Sequence, residues 1–198
     1  PRLRALFNIG AGVDAILRLR LPPSLRVVRL DDAGMAVQMA EYVCHAVIRH
    51  FRAFDAYEAA QREARWAYRK PRQRADCTVG LLGLGVLGTR VAQALQVFEF
   101  PVLAYSRRPK SLSGVCSYHG EAGWAAFLAR SQVLVNLLPL TPATHGLLNR
   151  ATLSPLPRGA YLINVARGAH LVEDDLLALL DEGHLSGATL DVFAVEPL

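Results

Sequence analysis

Short apolar runs alternate with helix-patterned segments along most of the chain, and this alternation predicts the fold. The strand segments are almost continuously apolar, so they should be buried on both faces of a parallel sheet. We therefore predict an α/β fold with a doubly wound parallel sheet. Strands are predicted at residues 5–9, 27–30, 78–82, 101–105, 132–137, 161–165 and 188–193, and helices at 13–17, 34–68, 89–98, 121–130 and 174–181.

The long helical pattern over residues 34–68 carries one apolar face and indicates a break near Arg52. Its length and basic outer side suit either a connector between domains or an arm of a dimer. The pattern divides the chain into residues 1–33, the remnant of a substrate domain; 34–76, a connecting helical region with a charged linker; and 77–198, a dinucleotide-binding domain. Trp66 and Trp124 are interpreted as packing residues.

The segment Gly83-Leu84-Gly85-Val86-Leu87-Gly88 follows a predicted strand and precedes a helical pattern, which is the order that a Rossmann dinucleotide-binding loop requires. Gly83 would allow the tight turn, Gly85 the approach of a pyrophosphate, and Gly88 close packing of helix and strand. The amides of Val86 and Leu87 would face the phosphates at the helix N-terminus.

The turn after the next strand indicates which dinucleotide is bound. An NAD-specific site has an acidic residue about 20 positions beyond the glycines. Here Ser106, Arg107 and Arg108 occupy that region, followed by Lys110. A small hydroxyl and three cations suit a 2′-phosphate, because an arginine fork pairs with phosphate oxygens. The turn predicts NADPH in preference to NADH, although a solvated basic turn is the alternative.

Composition narrows the remaining classes of function. The net charge of +5 arises largely from residues 49–74, where eight Lys/Arg face three Asp/Glu. A solvated helix face explains these charges better than nucleic acid, since no aromatic stacking platform accompanies them. No run is apolar enough for a membrane span. The three scattered cysteines show no metal-ligand spacing, so we predict reduced thiols in a cytoplasm and no metal site.

Besides the glycine motif, three further stretches are informative: NLLPLTPATHGLLN at residues 136–149, INVARG at 163–168 and LDVFAVEPL at 190–198. Together they resemble the D-isomer-specific 2-hydroxyacid dehydrogenases. The stretches FNIGAGVD at 7–14 and DAGM at 32–35, with the Ser106-Arg107 turn, most resemble the glyoxylate/hydroxypyruvate reductase A branch. The resemblance implies a flavodoxin-like substrate domain, of which residues 1–33 would be a part, and a homodimer at full length.

The resemblance also implies roles for single residues. Arg167 would bind the carboxylate of a 2-oxo acid and polarise its carbonyl, and Asp191 would hold the nicotinamide carboxamide. Glu196 would pair with a histidine that acts as general acid. The adenosine and phosphate side would be lined by Leu138, Pro139 and Thr144, the nicotinamide by Val165 and Ala166, and the substrate carboxylate would meet the amides of Ala11 and Gly12.

Two of these three charged residues have a simpler explanation. Arg167 could be a surface salt-bridge partner, and Glu196 could be solvated. Asp191 is predicted to lie within an apolar strand, where a charge needs a partner or a ligand. None of the six histidines stands in the matching motif, and His170 is interpreted as a solvated residue at a helix entry.

The resemblance therefore predicts a fragment of a reductase of roughly 300 residues, consistent with two domains. The fragment should bind NADPH without reducing a 2-oxo acid, and it should expose apolar surface. The alternative is a dinucleotide-sensing interaction protein that kept the fold and lost turnover. Nucleic-acid binding is the least favoured hypothesis.

Overall fold

A computed structural model describes residues 3–10, 12–17, 19–30 and 32–198 of the chain. Strands alternate with helices through most of it, as the apolar pattern predicts. In chain order the elements are β1 (Ala5–Asn8), α1 (Asp14–Leu17), β2 (Arg26–Arg29), α2 (Met35–Arg52), α3 (Phe54–Arg62), β3 (Val79–Leu82), α4 (Val86–Val97), β4 (Val102–Ser106), β5 (Val115–His119), α5 (Gly120–Arg130), β6 (Val133–Asn136), α6 (Arg150–Leu153), β7 (Ala160–Asn164), α7 (Glu173–Asp181) and β8 (Leu185–Leu190).

Six strands form one parallel sheet in the order β5-β4-β3-β6-β7-β8. From β3 the chain first builds outward through β4 and β5, and then crosses to the other side of β3 for β6, β7 and β8. The strand order therefore reverses between β3 and β6. In sheets of this kind ligands bind at the carboxyl ends of the strands beside that reversal. The predicted doubly wound α/β fold is confirmed.

Alternating side chains of the strands bury two separate cores, one on each face of the sheet. Val79 and Leu81 of β3 pack beneath α2 and α4, whereas Leu82 packs on the opposite face with α5, α6 and α7. Both faces are thus covered, which explains why the strands read as nearly continuous apolar runs. Because helices cover both faces of the sheet, a ligand site is expected at the strand ends and in the loops that follow them.

The predicted helical stretch over 34–68 forms two helices. The chain turns at Ala53, whose φ of 52° and ψ of 45° are left-handed, and α3 ends at Arg62. Helix α2 buries Val43, Val47 and Phe51 in the core above β3, so it packs as part of the sheet's covering layer. The break falls at Ala53, next to the predicted position at Arg52. Only α3 and the segment that follows it are left as a possible arm of a dimer.

Several predicted boundaries were wrong. Strand β5, a half-exposed edge strand, and the four-residue helix α6 were not predicted. Helix α4 begins at Val86, three residues before the predicted start at Thr89, so that the last glycine of the motif lies inside it. Strand β8 runs from Leu185 to Leu190 and not over 188–193, which places Asp191 just after the strand.

The basic segment between α3 and β3 is held by aromatic rings. The guanidinium carbon of Arg72 lies 5.8 Å from the ring centre of Phe51, and that of Arg74 lies 5.4 Å from Phe51 and 5.1 Å from Phe100. Arginines over aromatic faces are attracted by the ring quadrupole. Near the end of α2, Arg49 donates to both carboxylate oxygens of Glu58 and also contacts Asp55, which fixes α3 against α2.

The two tryptophans differ in environment. Trp124 stacks against Phe127 and meets Tyr105 edge to face, with ring centres 6.1 and 4.7 Å apart. Trp66, which follows α3, is 94% exposed, so its interpretation as a packing residue is wrong within this chain. The neighbouring Tyr68 is 78% exposed.

Strands β1 and β2 form a small parallel sheet of their own beside the carboxyl edge of the larger one. The side chain of Asn8, at the end of β1, donates hydrogen bonds to the carbonyls of Gly10 and Gly12 at 2.8 and 2.7 Å. These bonds curl the following loop back on the strand. No helix among the described residues is long and apolar enough to cross a membrane.

Candidate active site

The glycine loop joins β3 to α4, and each motif glycine has its own steric reason. Gly83 has a φ of 105°, a conformation that side chains rarely adopt. A Cβ on Gly88 would lie 2.0 Å from the Gly83 carbonyl oxygen, so the helix approaches the loop too closely for any side chain. A Cβ on Gly85 would meet no heavy atom within 4 Å, which leaves open space in front of that residue.

The first turn of α4 points at that open space. Gly85 is the N-cap of α4, and no side chain caps the helix. Uncapped amides and the helix dipole together favour an anion at this position. Val86 is exposed at the start of the helix, and Leu87 lines the neighbouring cleft.

The basic turn after β4 lies against the glycine loop. Ser106 is the buried last residue of β4, and its hydroxyl donates to the Arg108 carbonyl at 2.7 Å. Arg107 and Arg108 are exposed. The Lys110 ammonium donates to the Leu84 carbonyl within the glycine loop at 2.6 Å. The turn therefore brings positive charge to the same edge of the sheet as the α4 N-terminus.

A hollow of about 630 Å³ lies at this junction. Gly85 of the loop lines it together with the cations Arg29, Arg90 and Lys110 and one carboxylate, that of Asp32. Three cations around one carboxylate leave the hollow net positive, which attracts anionic ligands.

The loop after β6 carries Leu138, Pro139 and Thr144. Leu138 and Pro139 line the cleft between the small sheet and the large one, whereas Thr144 does not. The Thr144 hydroxyl accepts a hydrogen bond from the Thr141 amide at 2.8 Å and donates to the Pro139 carbonyl at 2.8 Å. Thr144 thus fixes the shape of its own loop.

The loop after β7 carries Val165, Ala166 and Arg167. The first two are buried, and all three line the cleft. The guanidinium of Arg167 faces the carboxylate of Asp14 at the start of α1, with Nε–Oδ1 at 3.2 Å and Nη2–Oδ1 at 3.1 Å. It also donates from Nη1 to the Ala166 carbonyl at 2.7 Å. A salt-bridge partner for Arg167 therefore exists, and it lies within the cleft.

Gly12 lies directly against the same guanidinium. A Cβ built on Gly12 would be 1.7 Å from Arg167 Nη2, a separation that no side chain could keep. The structure thus brings together Gly12 and Arg167, two predicted substrate residues that are separated by most of the chain. The third, Ala11, lies outside the described residues.

The cleft between the small sheet and the large one has a volume of about 510 Å³. It is lined by residues of the N-terminal loop, α2, the first turn of α4 and the loops after β6 and β7. Seven of the predicted site residues line it: Gly12, Leu87, Leu138, Pro139, Val165, Ala166 and Arg167. Gly85 and Val86 line the basic hollow instead, and the other described site residues line neither space.

Asp191 and Glu196 follow β8. Asp191 is exposed, and its amide donates to the Asn164 carbonyl at 3.0 Å, so the interpretation of Asp191 as a charge within an apolar strand is wrong. Its carboxylate lies near Tyr42 of α2, whose pKa is raised by partial burial and by the Asp191 charge. The Glu196 carboxylate accepts a hydrogen bond from the Phe193 amide at 2.8 Å, and no described histidine hydrogen-bonds to it.

His170 is fully buried, which contradicts its interpretation as a solvated residue. It ends a short 3₁₀ turn after Arg167 (Gly168–His170). Its Nδ1 lies 3.2 Å from the Arg167 carbonyl oxygen, and its Nε2 lies 3.3 Å from that of Pro139. Burial lowers the pKa of the imidazole and the nearby Arg167 charge lowers it further, while the two carbonyls act in the opposite direction.

Sequence reasoning assigned no role to Asp14, Asn136 or Asn164, which all help to build the site. Asn136 and Asn164 end two neighbouring strands and are both fully buried. The signal for them was available, because each is a polar residue at the end of an apolar strand. Asp14 stands in the segment FNIGAGVD that carried the resemblance, but its contact with Arg167 required the fold.

Comparisons with known proteins agree with this geometry. The family model described as D-isomer specific 2-hydroxyacid dehydrogenase, NAD binding domain, matches residues 44–198. The glyoxylate/hydroxypyruvate reductase A of Serratia proteamaculans (strain 568) is 51% identical over 203 aligned residues, which cover 100% of this chain and 65% of that protein.

Two solved structures are similar over nearly the whole chain. The D-isomer specific 2-hydroxyacid dehydrogenase of Xanthobacter autotrophicus Py2, in complex with NADPH and MES, superposes with a TM-score of 0.94 at 48% identity, covering 100% of this chain and 63% of that one. The NADPH-dependent glyoxylate/hydroxypyruvate reductase of Sinorhizobium meliloti, in complex with NADP and sulfate, superposes with a TM-score of 0.94 at 41% identity, covering 99% and 63%.

The chain thus spans just under two thirds of the length of these relatives. The family model matches most of it, and the relatives match it almost from end to end. The chain belongs to the D-isomer-specific 2-hydroxyacid dehydrogenase family.

Proposed function

We propose that the protein transfers a hydride from NADPH to a small 2-oxo acid, glyoxylate or hydroxypyruvate, and forms the 2-hydroxy acid. The observation that carries the proposal is the contact of Arg167 with Gly12 in a cleft that also reaches Leu87 in the first turn of α4. The names of the relatives support the choice of substrate and cofactor, since two are glyoxylate/hydroxypyruvate reductases and two were solved with NADPH or NADP.

The residues present fit a dinucleotide. The open space before Gly85 and the uncapped first turn of α4 suit a pyrophosphate, which would approach the backbone there. The buried Val165 and Ala166 offer an apolar surface for the nicotinamide. When bound, NADPH supplies the hydride. We assign Asp191, close to β7 through its amide, to the nicotinamide carboxamide.

Arg167 is assigned to the substrate. A guanidinium remains charged at every working pH and can bond two oxygens at once. It would bind the carboxylate of a 2-oxo acid and stabilise the negative charge that develops on the carbonyl oxygen. The exposed backbone of the Gly12 loop would contribute to the same carboxylate. Ala11 is assigned with Gly12 on the resemblance alone.

Glu196 is assigned to orienting the proton donor. The Phe193 amide holds its carboxylate in the turn that follows β8. A carboxylate beside an imidazole raises the pKa of that imidazole and keeps it protonated near neutrality.

We predict that the protein binds NADPH more tightly than NADH, because Ser106, Arg107 and Arg108 replace the acidic residue of an NAD site. Replacing both arginines with alanine should remove most of the preference, a loss of about 1–3 kcal/mol for charge-assisted bonds. The measurement is a fluorescence titration with each dinucleotide.

Arg158→Ala is the matched control for this prediction. The Arg158 guanidinium bonds the Glu182 carbonyl at 3.1 Å, and the residue precedes β7 at the opposite edge of the sheet. It should leave both affinities unchanged. Equal affinities for NADPH and NADH in the parent protein would refute the cofactor assignment. NADPH binding without turnover of either oxo acid, measured on the full-length gene product, would favour the dinucleotide-sensing alternative.

We also propose a homodimer that uses the surface of α3 and the following segment, which we call the aromatic arm (residues 54–68). Tyr57, Trp66 and Tyr68 line a hollow of about 560 Å³ in the arm. Exposed aromatic residues in one patch are typical of interfaces between proteins, where Tyr and Trp are enriched. A second copy of the chain is the occupant we favour, since the same patch on two copies can pair with itself across a two-fold axis.

We expect Trp66→Ala to weaken the dimer at least tenfold, because Trp residues buried at interfaces are frequent hot spots whose truncation costs about 2 kcal/mol or more. Sedimentation equilibrium of the full-length gene product measures the dissociation constant of the dimer. Leu177→Ala removes another exposed apolar side chain, on α7, and should leave the constant unchanged. A dimer constant that is the same with and without Trp66 would exclude the arm from the interface.

Charge and thiol chemistry support two further assignments. Three of the arginines of residues 49–74 are engaged within the chain, Arg49 by Glu58, and Arg72 and Arg74 by aromatic rings, which supports a structural role for them over contacts with nucleic acid. Burial raises the pKa of Cys44 and of Cys77 to about 11, which suits inert, reduced thiols. We assign the protein to the cytoplasm without a nucleic-acid or membrane partner.

The proposed domain division follows the sequence analysis, with residues 1–33 in a substrate domain and 77–198 in the dinucleotide domain. The position of the cleft between the small and the large sheet supports it, since ligand sites are frequent at such junctions. Residues 34–76 connect the two, although α2 itself packs on the large sheet.

A further inference from the structure

The loops after β6 and β7 are tied together by two buried asparagines. Asn136 and Asn164 are paired in the register of the parallel strands, and Asn136 Nδ2 donates to Asn164 Oδ1 at 3.0 Å. Each also holds its own loop. The Leu138 amide donates to Asn136 Oδ1 at 3.2 Å, and the Ala166 amide donates to Asn164 Oδ1 at 3.3 Å.

The same network reaches the backbone of Arg167. Asn164 Nδ2 donates to the Arg167 carbonyl at 3.0 Å, and the His170 amide donates to it at 3.2 Å. The imidazole of His170 then spans from this carbonyl to that of Pro139, at 3.2 and 3.3 Å. Pro139 belongs to the loop after β6, so the ring bridges the two loops at a second point.

Such a bridge matters because Arg167 is long and flexible. The position of its guanidinium in the cleft depends on where the backbone at Arg167 is anchored. Buried polar networks with satisfied partners rigidify the segments that they join. A misplacement of about 1 Å at a binding group can reduce catalysis on the order of a hundredfold.

We propose that His170 is a positioning residue, whose buried ring joins the carbonyl of Arg167 to that of Pro139 and so holds the substrate arginine in register with the loop along the cofactor side. The inference rests on the proposed function for its consequence, but the bridge itself is a property of the fold. A neutral imidazole carries one N–H, so the ring donates a hydrogen bond to one of the two carbonyls and meets the other through packing; a rigid ring that reaches both loops suits this place.

The variants that test the bridge replace its two ends separately. His170→Asn keeps a polar group near the Nδ1 position, His170→Gln keeps one near the Nε2 position, and His170→Leu fills the space without either. Oxalate, a planar dianion that resembles a 2-oxo acid, is titrated into the protein with NADPH. We expect His170→Leu to weaken oxalate binding about tenfold, which corresponds to about 1.4 kcal/mol of binding free energy. The Asn and Gln variants should lose about threefold or less by the same scale.

Coupling to Arg167 separates positioning from a general loss of stability. In an Arg167→Lys background the fork is already gone, so His170→Leu should change oxalate affinity less than about twofold, since coupled residues are not additive. The same loss in both backgrounds, or no loss in the parent, would overturn the proposal. If the Leu variant fails to fold, the Asn and Gln variants are compared in the two backgrounds under the same criterion.

A second readout needs no ligand. Amide hydrogen exchange should become faster in residues 138–145 and 165–171 of the His170→Leu variant, while β3 keeps its protection. His184→Leu is the matched control, because His184 also bonds a carbonyl, that of Leu153 at 3.2 Å, but stands just before β8 at the other edge of the sheet. It should alter neither loop and should not change oxalate affinity.

The two readouts distinguish the possible failures. A parent protein that binds neither NADPH nor oxalate refutes the proposed function, and hydrogen exchange alone then decides whether the bridge exists. Unchanged exchange in both loops of the Leu variant refutes the bridge even where the parent enzyme is active.

Discussion

Arg167→Ala should lower kcat/KM for glyoxylate and hydroxypyruvate by about a thousandfold or more in the full-length gene product, if the proposed function holds, while the affinity for NADPH should stay nearly unchanged. The reason is that the guanidinium is the positive group that faces Gly12 in the cleft. Loss of one such oxyanion-stabilising donor costs on the order of 10²–10³ in rate, and binding of the carboxylate is lost as well. Steady-state kinetics and a fluorescence titration give the two quantities.

Two comparisons decide whether this effect belongs to the chemistry. Arg167→Lys should rescue little, because an ammonium cannot reproduce a fork that serves two oxygens. If the pair with Asp14 were the only role of Arg167, Asp14→Asn would cause the same loss, and we expect a much smaller one. Arg150→Ala removes another paired arginine, which bonds Glu182 at 2.8 Å, and should leave kinetics unchanged. Near-normal turnover by Arg167→Ala would make Arg167 a structural residue.

The second large effect separates two glycines of one loop. Gly88→Ala places a Cβ 2.0 Å from the Gly83 carbonyl oxygen, and backbone must move to relieve the clash. Overpacking costs about 1–3 kcal/mol or more, which lowers Tm by roughly 2–4 °C per kcal/mol in a protein of this size. Gly85→Ala meets nothing within 4 Å and has a φ of −84°, which any residue adopts. It should melt like the parent and yet lose at least about tenfold in NADPH affinity, or 1.4 kcal/mol.

Thermal melts and NADPH titrations of both variants provide the measurement. Each glycine serves as the control for the other, since the added methyl group is the same. A Gly88→Ala protein with an unchanged Tm would mean that α4 and the loop can separate at little cost. Unchanged NADPH affinity in Gly85→Ala would mean that the pyrophosphate does not approach this residue.

The layers of the fold follow from sequence because buried parallel strands are apolar on both faces. Strands β3, β6 and β7 have no exposed face whose polar residues would interrupt the apolar pattern, and they were predicted within one or two residues. The edge strands β5 and β8 were missed or shifted, since their residues are half-exposed and include small or polar side chains such as Ser117, Ser186 and Gly187. At an edge the pairing partner decides what is a strand, and no local pattern records that partner.

The candidate site divides in the same way. Glycine spacing predicted the loop of Gly83, Gly85 and Gly88 because steric requirements are local. The contact of Gly12 with Arg167, and of Asp14 with the same guanidinium, joins residues some 150 positions apart and depends on the fold. His170 was assigned to solvent because it stands shortly before a predicted helix, whereas two loops close over it in space.

The helix of the aromatic arm, α3, lies between two alanines in left-handed conformation, Ala53 with φ of 52° and Ala64 with φ of 51°. A left-handed alanine costs about 1–2 kcal/mol, which the contacts on either side must compensate. Since Arg49 bonds Glu58 across the first of these turns, the direction of α3 is fixed before any partner arrives. A second copy would then meet a surface that is already ordered, and the entropy lost on association would be limited to that of two rigid bodies and a few side chains.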